Sequence, residues 1–516
     1  MTNDTLNSIS VTLQNHATVN PDKTMLMVDG ERLSYGGFEH EVERLAAAFV
    51  FHGTGPGDCV ALIMPNSIDW YIAFWAAVRC GARPVPLDPQ TGEWELQQFF
   101  ILMKFSLCCI VRSYRANPLR ENVLAVTEEM KIPTAVIVMD AQTETAPLIS
   151  RTGVYPPDTK EYALPAMKNT QPGELLMYAC TSGTTGNPKI LAVEHAGFYR
   201  SQRDMAVYLG LGPTDIMLLG MPLYHQGGFG MGVQMLLPGG TALYQSRFDP
   251  ESFIRTVQRQ QVTVVQLTAT LAKILISHPA FKRPAIDSLR IAYFAGELLP
   301  DEVAEKFYRD FGIRVVNIIG SSETGTMAVW DSRCDTDCSV NDFRPMPFTD
   351  VILRDDAGGE PPEGEPGVLQ VRTDAVLLEY FGNISLTREK IIIRDGKRWF
   401  DTGDCGIRLP DGRIRLMGRR KRIIKRGGNL IYPEEIEAFL LTHPRLHAVA
   451  VNGEPHEIFG EMIVAHVQPS DGAQLTGGEL VRFCRGKLSS YKIPDRFVVT
   501  EELPKDIGKI QFKYIR

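Results

Sequence analysis

From about residue 20 to 240 the chain alternates short apolar runs with longer stretches in which apolar residues return every three or four positions. The runs "CVALIMP", "ARPVPLD", "CCIVRS" and "TAVIVMD" have the length of strands. Strands that alternate with helices and lack a polar face imply parallel sheets covered on both sides. "QVTVVQLTA" and "RIAYFAG" continue the pattern, and "RVVNIIGSSE" ends in a loop of small residues. From about 346 to 417 the texture changes. Short β-like runs are split by the turns "DDAGGEPPEGEPG", "RDGK" and "LPDG", which predicts a compact antiparallel module. A basic break follows in "GRRKRIIKRGGN" (418–429). The last hundred or so residues carry helical patterns ("PEEIEAFLLTH", "GGELVRFCRGKLSS") and strand patterns ("AVAVNG", "MIVAHVQ", "RFVVT") of their own. They suffice for a small α+β domain.

Composition narrows the class. A chain of 516 residues exceeds one ordinary core and implies two or more domains. Hydrophobic content of 44% and charged content of 22% are those of a soluble globular protein. A net charge of −7 argues against nucleic acid as the main partner. The start, "MTNDTLNSIS", lacks the basic-then-apolar order of a signal peptide. The most apolar run, "WYIAFWAAV" (70–78), is too short to span a bilayer and reads as a buried helix. Nine scattered cysteines fit a reducing compartment, so a cytoplasmic protein without a membrane span is expected. Cys334 and Cys338 form a CxxxC pair with no second pair or nearby histidine, short of the four ligands of a structural zinc.

The stretch "YACTSGTTGNPKI" (178–190) raises the question of chemistry. It leaves an apolar strand for six Thr, Ser and Gly residues, then an asparagine and a proline, before one lysine. Such composition alone marks a solvated loop. It also suits a polyphosphate grip. Gly183 and Gly186 admit close backbone approach, Thr181, Ser182, Thr184 and Thr185 offer hydroxyl donors, and Lys189 brings a point charge. The spacing is not that of a Walker P-loop.

Four stretches together resemble one family. "TSGTTGNPK" (181–189), "GSSET" (320–324), "DTGD" (401–404) and "PKDIGK" (504–509) stand in the order and at the distances found in the adenylate-forming superfamily. That superfamily holds acyl- and aryl-CoA synthetases, peptide-synthetase adenylation domains and firefly-type luciferases. The resemblance covers nearly the whole chain. It implies an α/β fold. A large N-terminal domain, residues 1–417, would hold two parallel-rich sheets packed with helices and a small β-barrel-like subdomain at 346–417. A small mobile α+β domain, residues 418–516, would follow a hinge near Lys421. The implied chemistry is attack of a carboxylate on the α-phosphate of ATP with Mg²⁺, giving acyl-AMP and pyrophosphate, then attack of a thiol. Negative charge develops in both steps, so prepositioned cations and donors are the expected catalysts.

The resemblance assigns roles residue by residue. Thr181 to Lys189, with Ser182, Gly183, Thr184, Thr185 and Gly186, would hold the β- and γ-phosphates. Glu323 would ligate Mg²⁺, and Ser322 would bond the α-phosphate. Gly296 and Glu297 would frame adenine. Ile319 stands where the family usually places a stacking aromatic; isoleucine also occurs there in some benzoate-type ligases. Asp404 and Arg419 would contact the ribose. Lys509 would bridge carboxylate and α-phosphate during adenylation. Lys425, Gly427 and Gly428 would form the face presented to the thiol after domain rotation, and His225 would gate the thiol tunnel. Gln226 replaces the aspartate with which amino-acid-activating members bind the ammonium, which argues against α-amino acids. His225, Phe229, Tyr293 and Ile319 are expected in the wall of a pocket for an aryl or medium-sized apolar acid. No carrier-protein segment follows Lys509. The leading expectation is an acid–CoA ligase. A stand-alone ligase loading a phosphopantetheinylated carrier protein, and an inactive nucleotide-binding homologue, are the alternatives.

Overall fold

The structure is a computed structural model that describes residues 8–132, 134–139, 164–165, 171, 173–181, 188–296, 299–355, 357–419, 424–431, 433–470, 474–500, 503, 505–506 and 509–510. Near the N-terminus, four parallel strands form one sheet in the order Arg83–Leu87, Cys59–Ile63, Phe105–Ile110, Ala135–Val138. A second sheet has six parallel strands side by side: Thr24–Val28, Thr241–Tyr244, Ile216–Leu219, Val264–Leu267, Ile291–Phe294 and Arg314–Ser321. The apolar runs supply these strands, and the central ones, such as Cys59–Ile63 and Phe105–Ile110, are buried on both faces as their lack of polar alternation requires.

The run at 70–78 lies in the helix Ile68–Arg79. Ser67 caps it, its Oγ accepting from the Trp70 N–H at 3.1 Å, and Trp70 through Ala77 are buried. Among the described residues, no helix is long and apolar enough to cross a membrane.

The β-rich segment does not stand apart as a closed barrel among the described residues. Arg314–Ser321 pairs antiparallel with Gly325–Asp331, and from there the ladder runs on through Asp342–Pro345, Ile414–Arg419, Lys397–Arg408, Gly367–Arg372 and Asp350–Arg354. The antiparallel module is thus an extension of the second parallel sheet. A separate hairpin, Leu175–Thr181 with Lys189–Glu194, pairs Thr181 directly opposite Lys189.

The small C-terminal unit has its own sheet, with Leu446–His456 and Gly460–Pro469 as its long central pair. Ile424, Ile431, Ile436, Phe439, Val451 and Ile463 form its core. Lys421, the expected hinge, lies outside the described residues.

This unit docks on the helix Glu93–Leu102 of the large domain. Lys492 Nζ donates to Glu95 Oε1 at 2.8 Å and to Glu435 Oε1 at 2.7 Å, and all three residues are buried. The Ser489 hydroxyl donates to Glu95 Oε2 at 3.1 Å, and the Trp94 ring meets Phe439 at 5.3 Å. The approach at Gly92 is so close that a Cβ there would sit 2.4 Å from the Lys487 carbonyl carbon, which only glycine avoids. Burial alone would lower the Lys492 pKa, but the carboxylates of Glu435 and Glu95 outweigh it and hold the ammonium well above its usual value.

Asp88 faces the same cluster. Burial pushes its carboxyl up to about 6, against the opposing pull of the Gln90 N–H and Lys492. A folded-state pKa raised above the unfolded one favours the packed form most below the unfolded value, near pH 4, and that contribution is lost as pH rises through 6. Asp88→Asn should therefore remove a destabilising slope. The melting temperature of the variant relative to the parent should rise between pH 4 and pH 7. A difference that stays flat or falls over that range would show that Asp88 is not buried in this way.

Candidate active site

One cavity of about 590 Å³ opens between the two sheets, the hairpin, the antiparallel extension and the docked small domain. Its nucleotide end is built from strand termini. Thr181 closes one hairpin strand and Lys189 opens the next, and the two residues are directly paired. Both line the cavity. Thr181 Oγ1 is buried there without a hydrogen-bond partner, and Lys189 Nζ lies 5.9 Å from the centre of the Tyr380 ring. Ser182, Gly183, Thr184, Thr185, Gly186 and Glu297 lie outside the described residues.

Ser322 and Glu323 follow the end of Arg314–Ser321 and line the same cavity. The Tyr380 hydroxyl donates to Glu323 Oε1 at 3.1 Å and so orients the carboxylate. Gly296 lines the cavity with φ +91°, a conformation glycine adopts without strain. Asp404 also lines it, and its strand partner is Arg419, whose side chain is outside the described set.

These groups fit a nucleotide polyphosphate with Mg²⁺. The orphaned Thr181 hydroxyl is a ready donor for a phosphate oxygen. Among the described residues, no cluster of three His, Cys, Asp or Glu could hold a metal alone. A single carboxylate at Glu323 suits Mg²⁺, which keeps waters and phosphate oxygens as its other ligands.

The other end of the cavity lies along the helix Gln226–Leu236. His225 caps its start and lines the cavity. Burial, and then the charge of Lys492, lower the His225 pKa to about 4, so the ring is neutral at physiological pH. Gln226 and Tyr293 line the cavity as well. From the small domain the cavity is lined by Gly428, with φ +83°, and by Asn429, Glu435, Tyr491 and Lys492.

Three expectations need correction. Ile319 does not line the cavity; its neighbours Ile318 and Gly320 do. The ladder register shifts between Ile319 and Gly320, and the Ile319 side chain packs into cores on the other side of the strand with Leu416. Phe229 is core rather than wall. It is 1% exposed, with Phe74 at 4.3 Å and Phe198 stacked at 5.8 Å. Lys425 is exposed outside the cavity, its backbone N–H donating to Glu461 Oε2, and Gly427 packs towards Phe459. Lys509 sits in a two-residue strand paired with Lys505–Asp506, and its side chain is not described.

The residues that sequence reasoning missed are Glu95, Glu435, Lys492 and Tyr380. Lys492 and Glu95 are 397 positions apart, and nothing local in "SSYKIPDRF" marks a buried lysine.

Comparison with known proteins agrees with this arrangement. Residues 13–381 match the family model described as AMP-binding enzyme, and residues 435–508 match the AMP-binding enzyme C-terminal domain. A feruloyl-CoA synthase from Amycolatopsis is 30% identical over 490 residues, covering 95% of this chain and 94% of that protein. An amide bond synthetase from Marinactinospora thermotolerans superposes with a TM-score of 0.85 at 24% identity over 99% of both chains. The o-succinylbenzoate CoA synthetase of Bacillus subtilis, 22% identical, superposes with a TM-score of 0.82 in its complex with a product analogue, over 97% of both chains. In its acyl-adenylate complex the score is 0.67, over 98% of this chain and 97% of that one. The chain belongs to the AMP-binding enzyme family. It is an enzyme of the AMP-forming acid–CoA ligase class, which uses ATP, Mg²⁺ and CoA.

The environment of His225 yields a direct test. The nuclear magnetic resonance signal of its Cε1 proton should show no titration between pH 5.5 and 8. A transition near 6.5 would mean that the ring is open to water.

Proposed function

We propose that this enzyme activates an aryl or similarly sized apolar carboxylic acid as its acyl-adenylate and transfers the acyl group to the thiol of CoA. The observation that carries the reading is the continuity of one cavity. Phosphate-binding groups at Thr181, Lys189 and Glu323, an acyl pocket along Gln226–Leu236, and the small domain's Gly428 all border it.

In the first step a carboxylate oxygen of the acid attacks the α-phosphorus. The bond to the bridging oxygen breaks and pyrophosphate leaves. Lys189 and the Thr181 hydroxyl stabilise charge on the departing phosphates, while Ser322 donates to the α-phosphate. Glu323, held by Tyr380, is the carboxylate that would hold Mg²⁺, which supplies charge neutralisation. Lys509 reaches the reacting oxygens in this step. Asp404 accepts from the ribose hydroxyls, with Arg419 beside it. In the second step the thiolate sulfur of CoA attacks the acyl carbon, the bond to the phosphate oxygen breaks, and AMP leaves.

The docked small domain suits the second step. Gly428 borders the cavity, and glycine leaves room for a narrow pantetheine arm. The higher TM-score against the product-analogue complex than against the acyl-adenylate complex of one synthetase supports the same assignment. Gln226 in place of a carboxylate supports an acid without an α-ammonium. The domain boundary near 417, with a pivot near Lys421, belongs to this reading.

Glu323→Gln should remove most pyrophosphate release in an assay with ATP, Mg²⁺ and an acid panel; full activity would contradict the metal assignment. Lys509→Ala should slow acyl-AMP formation by about 10²–10³-fold, yet convert synthetic acyl-AMP to thioester at a substantial rate. Equal damage to both half-reactions would contradict alternation of the small domain. Offering CoA and a phosphopantetheinylated carrier in parallel, with product masses recorded, tests the acceptor. Acylated carrier without acyl-CoA would overturn it.

A further inference from the structure

The far end of the acyl pocket carries buried polar groups that a purely apolar acid would leave unmet. Gln202, from the helix His195–Leu209, and Gln234, from Gln226–Leu236, are joined by a hydrogen bond in which Gln234 Nε2 donates to Gln202 Oε1 at 2.9 Å. Both are buried and both line the cavity. Gln234 Oε1 has no partner, and neither has the hydroxyl of Tyr293. Gln234 is 2% exposed and Tyr293 0%. Gln234 and Thr326 flank that hydroxyl closely enough to interact with it, but among the described residues none meets the distance and angle of a formed hydrogen bond. Burial raises the Tyr293 pKa, so the phenol keeps its proton and remains a donor.

The two open groups lie deep. Gln234 follows His225 by nine residues, the first being the cap of their helix, which places it about 13 Å further along the axis. Between them Gly230 keeps the passage open, because a Cβ there would stand 3.2 Å from Gln202 Oε1 and 3.4 Å from Phe198 Cζ. The rest of the wall around the two open groups is mostly apolar, with Phe198, Met231 and Ile318, and Thr326 adds one further hydroxyl. A pocket that is apolar along its length and offers one donor and one acceptor at its end selects for a matching group on the ligand.

We propose that Tyr293 and Gln234, braced by Gln202, read a hydroxyl group at the end of the acid remote from its carboxylate. The substrate class is then hydroxylated aryl acids of arylacrylic length. A hydroxyl satisfies both open groups at once, accepting from the Tyr293 O–H and donating to Gln234 Oε1. An ether or ketone oxygen satisfies only the tyrosine, and a bare ring or alkyl tail satisfies neither. This deepens, and rests on, the ligase reading above.

The test compares cinnamic acid, 4-hydroxycinnamic acid and octanoic acid as substrates of the full-length enzyme with ATP, Mg²⁺ and CoA. The parent should favour 4-hydroxycinnamic over cinnamic acid by about tenfold to a hundredfold in kcat/KM. Tyr293→Phe and Gln234→Leu should each bring that ratio towards one by lowering turnover of the hydroxylated acid. A residue that merely supports the fold would depress both acids together and leave the ratio intact, which would overturn the proposal. A parent ratio of one, or octanoic acid outpacing both, would also overturn it while leaving the ligase reading in place. No AMP from any acid of a broad panel would instead overturn the ligase reading itself.

Discussion

A lysine buried against two carboxylates is tolerable only while all three stay together. Lys492, held between Glu95 of the large domain and Glu435 of the small one, meets that condition across the domain interface. Removing Lys492 would leave two carboxylates buried without their cation, a loss of about 3–5 kcal/mol. The closed cavity depends on this contact. It carries Tyr491, Asn429 and Gly428 to the cavity mouth and sets a positive charge near His225. The same chemistry makes the contact reversible. Once the domains part, water reaches the charges and the burial cost disappears, so the cluster can hold one arrangement without forbidding another.

The rest of the site is arranged around strand ends. Parallel strands deliver their C-terminal ends to a common edge, where small residues allow close backbone approach and ligands bind. Ser322 and Glu323 come from one such end, while the hairpin brings Thr181 and Lys189 alongside and the antiparallel extension brings Asp404. Because that extension is continuous with the second sheet, Asp404 and the strand that ends before Ser322 and Glu323 belong to one ladder, while Thr181 and Lys189 stand on a separate hairpin. The acyl pocket is instead lined by a helix, whose length sets its depth and whose glycines set its width.

The polar residues that border the cavity were legible in the sequence because phosphate chemistry needs several donors within a few residues. Thr181, Lys189, Ser322, Glu323 and Asp404 all border the cavity. Side-chain direction was less legible. Ile319 points to the opposite face of its strand from Ile318 and Gly320, as alternation requires, and which face meets the cavity cannot be read from "NIIGSSE". Phe229 lies on the helix face that meets Trp70 and Phe74, a choice made by partners some 150 positions earlier. The ionic cluster was invisible because its members are far apart in sequence and each is an ordinary surface residue type. The antiparallel module was legible as β structure, but its continuity with the parallel sheet is a matter of strand pairing, not composition.

The central claim is that the docked small domain serves one half-reaction and leaves for the other. Trp94 reports on it directly, because its ring packs on Phe439 across the interface. The measurement is stopped-flow tryptophan emission of the parent minus that of Trp94→Phe, with ATP and acid added first and CoA second. The account predicts a change in the Trp94 signal when the first substrates bind and its return when CoA is added. A Trp94 signal that stays constant through both additions, while product forms, would contradict it.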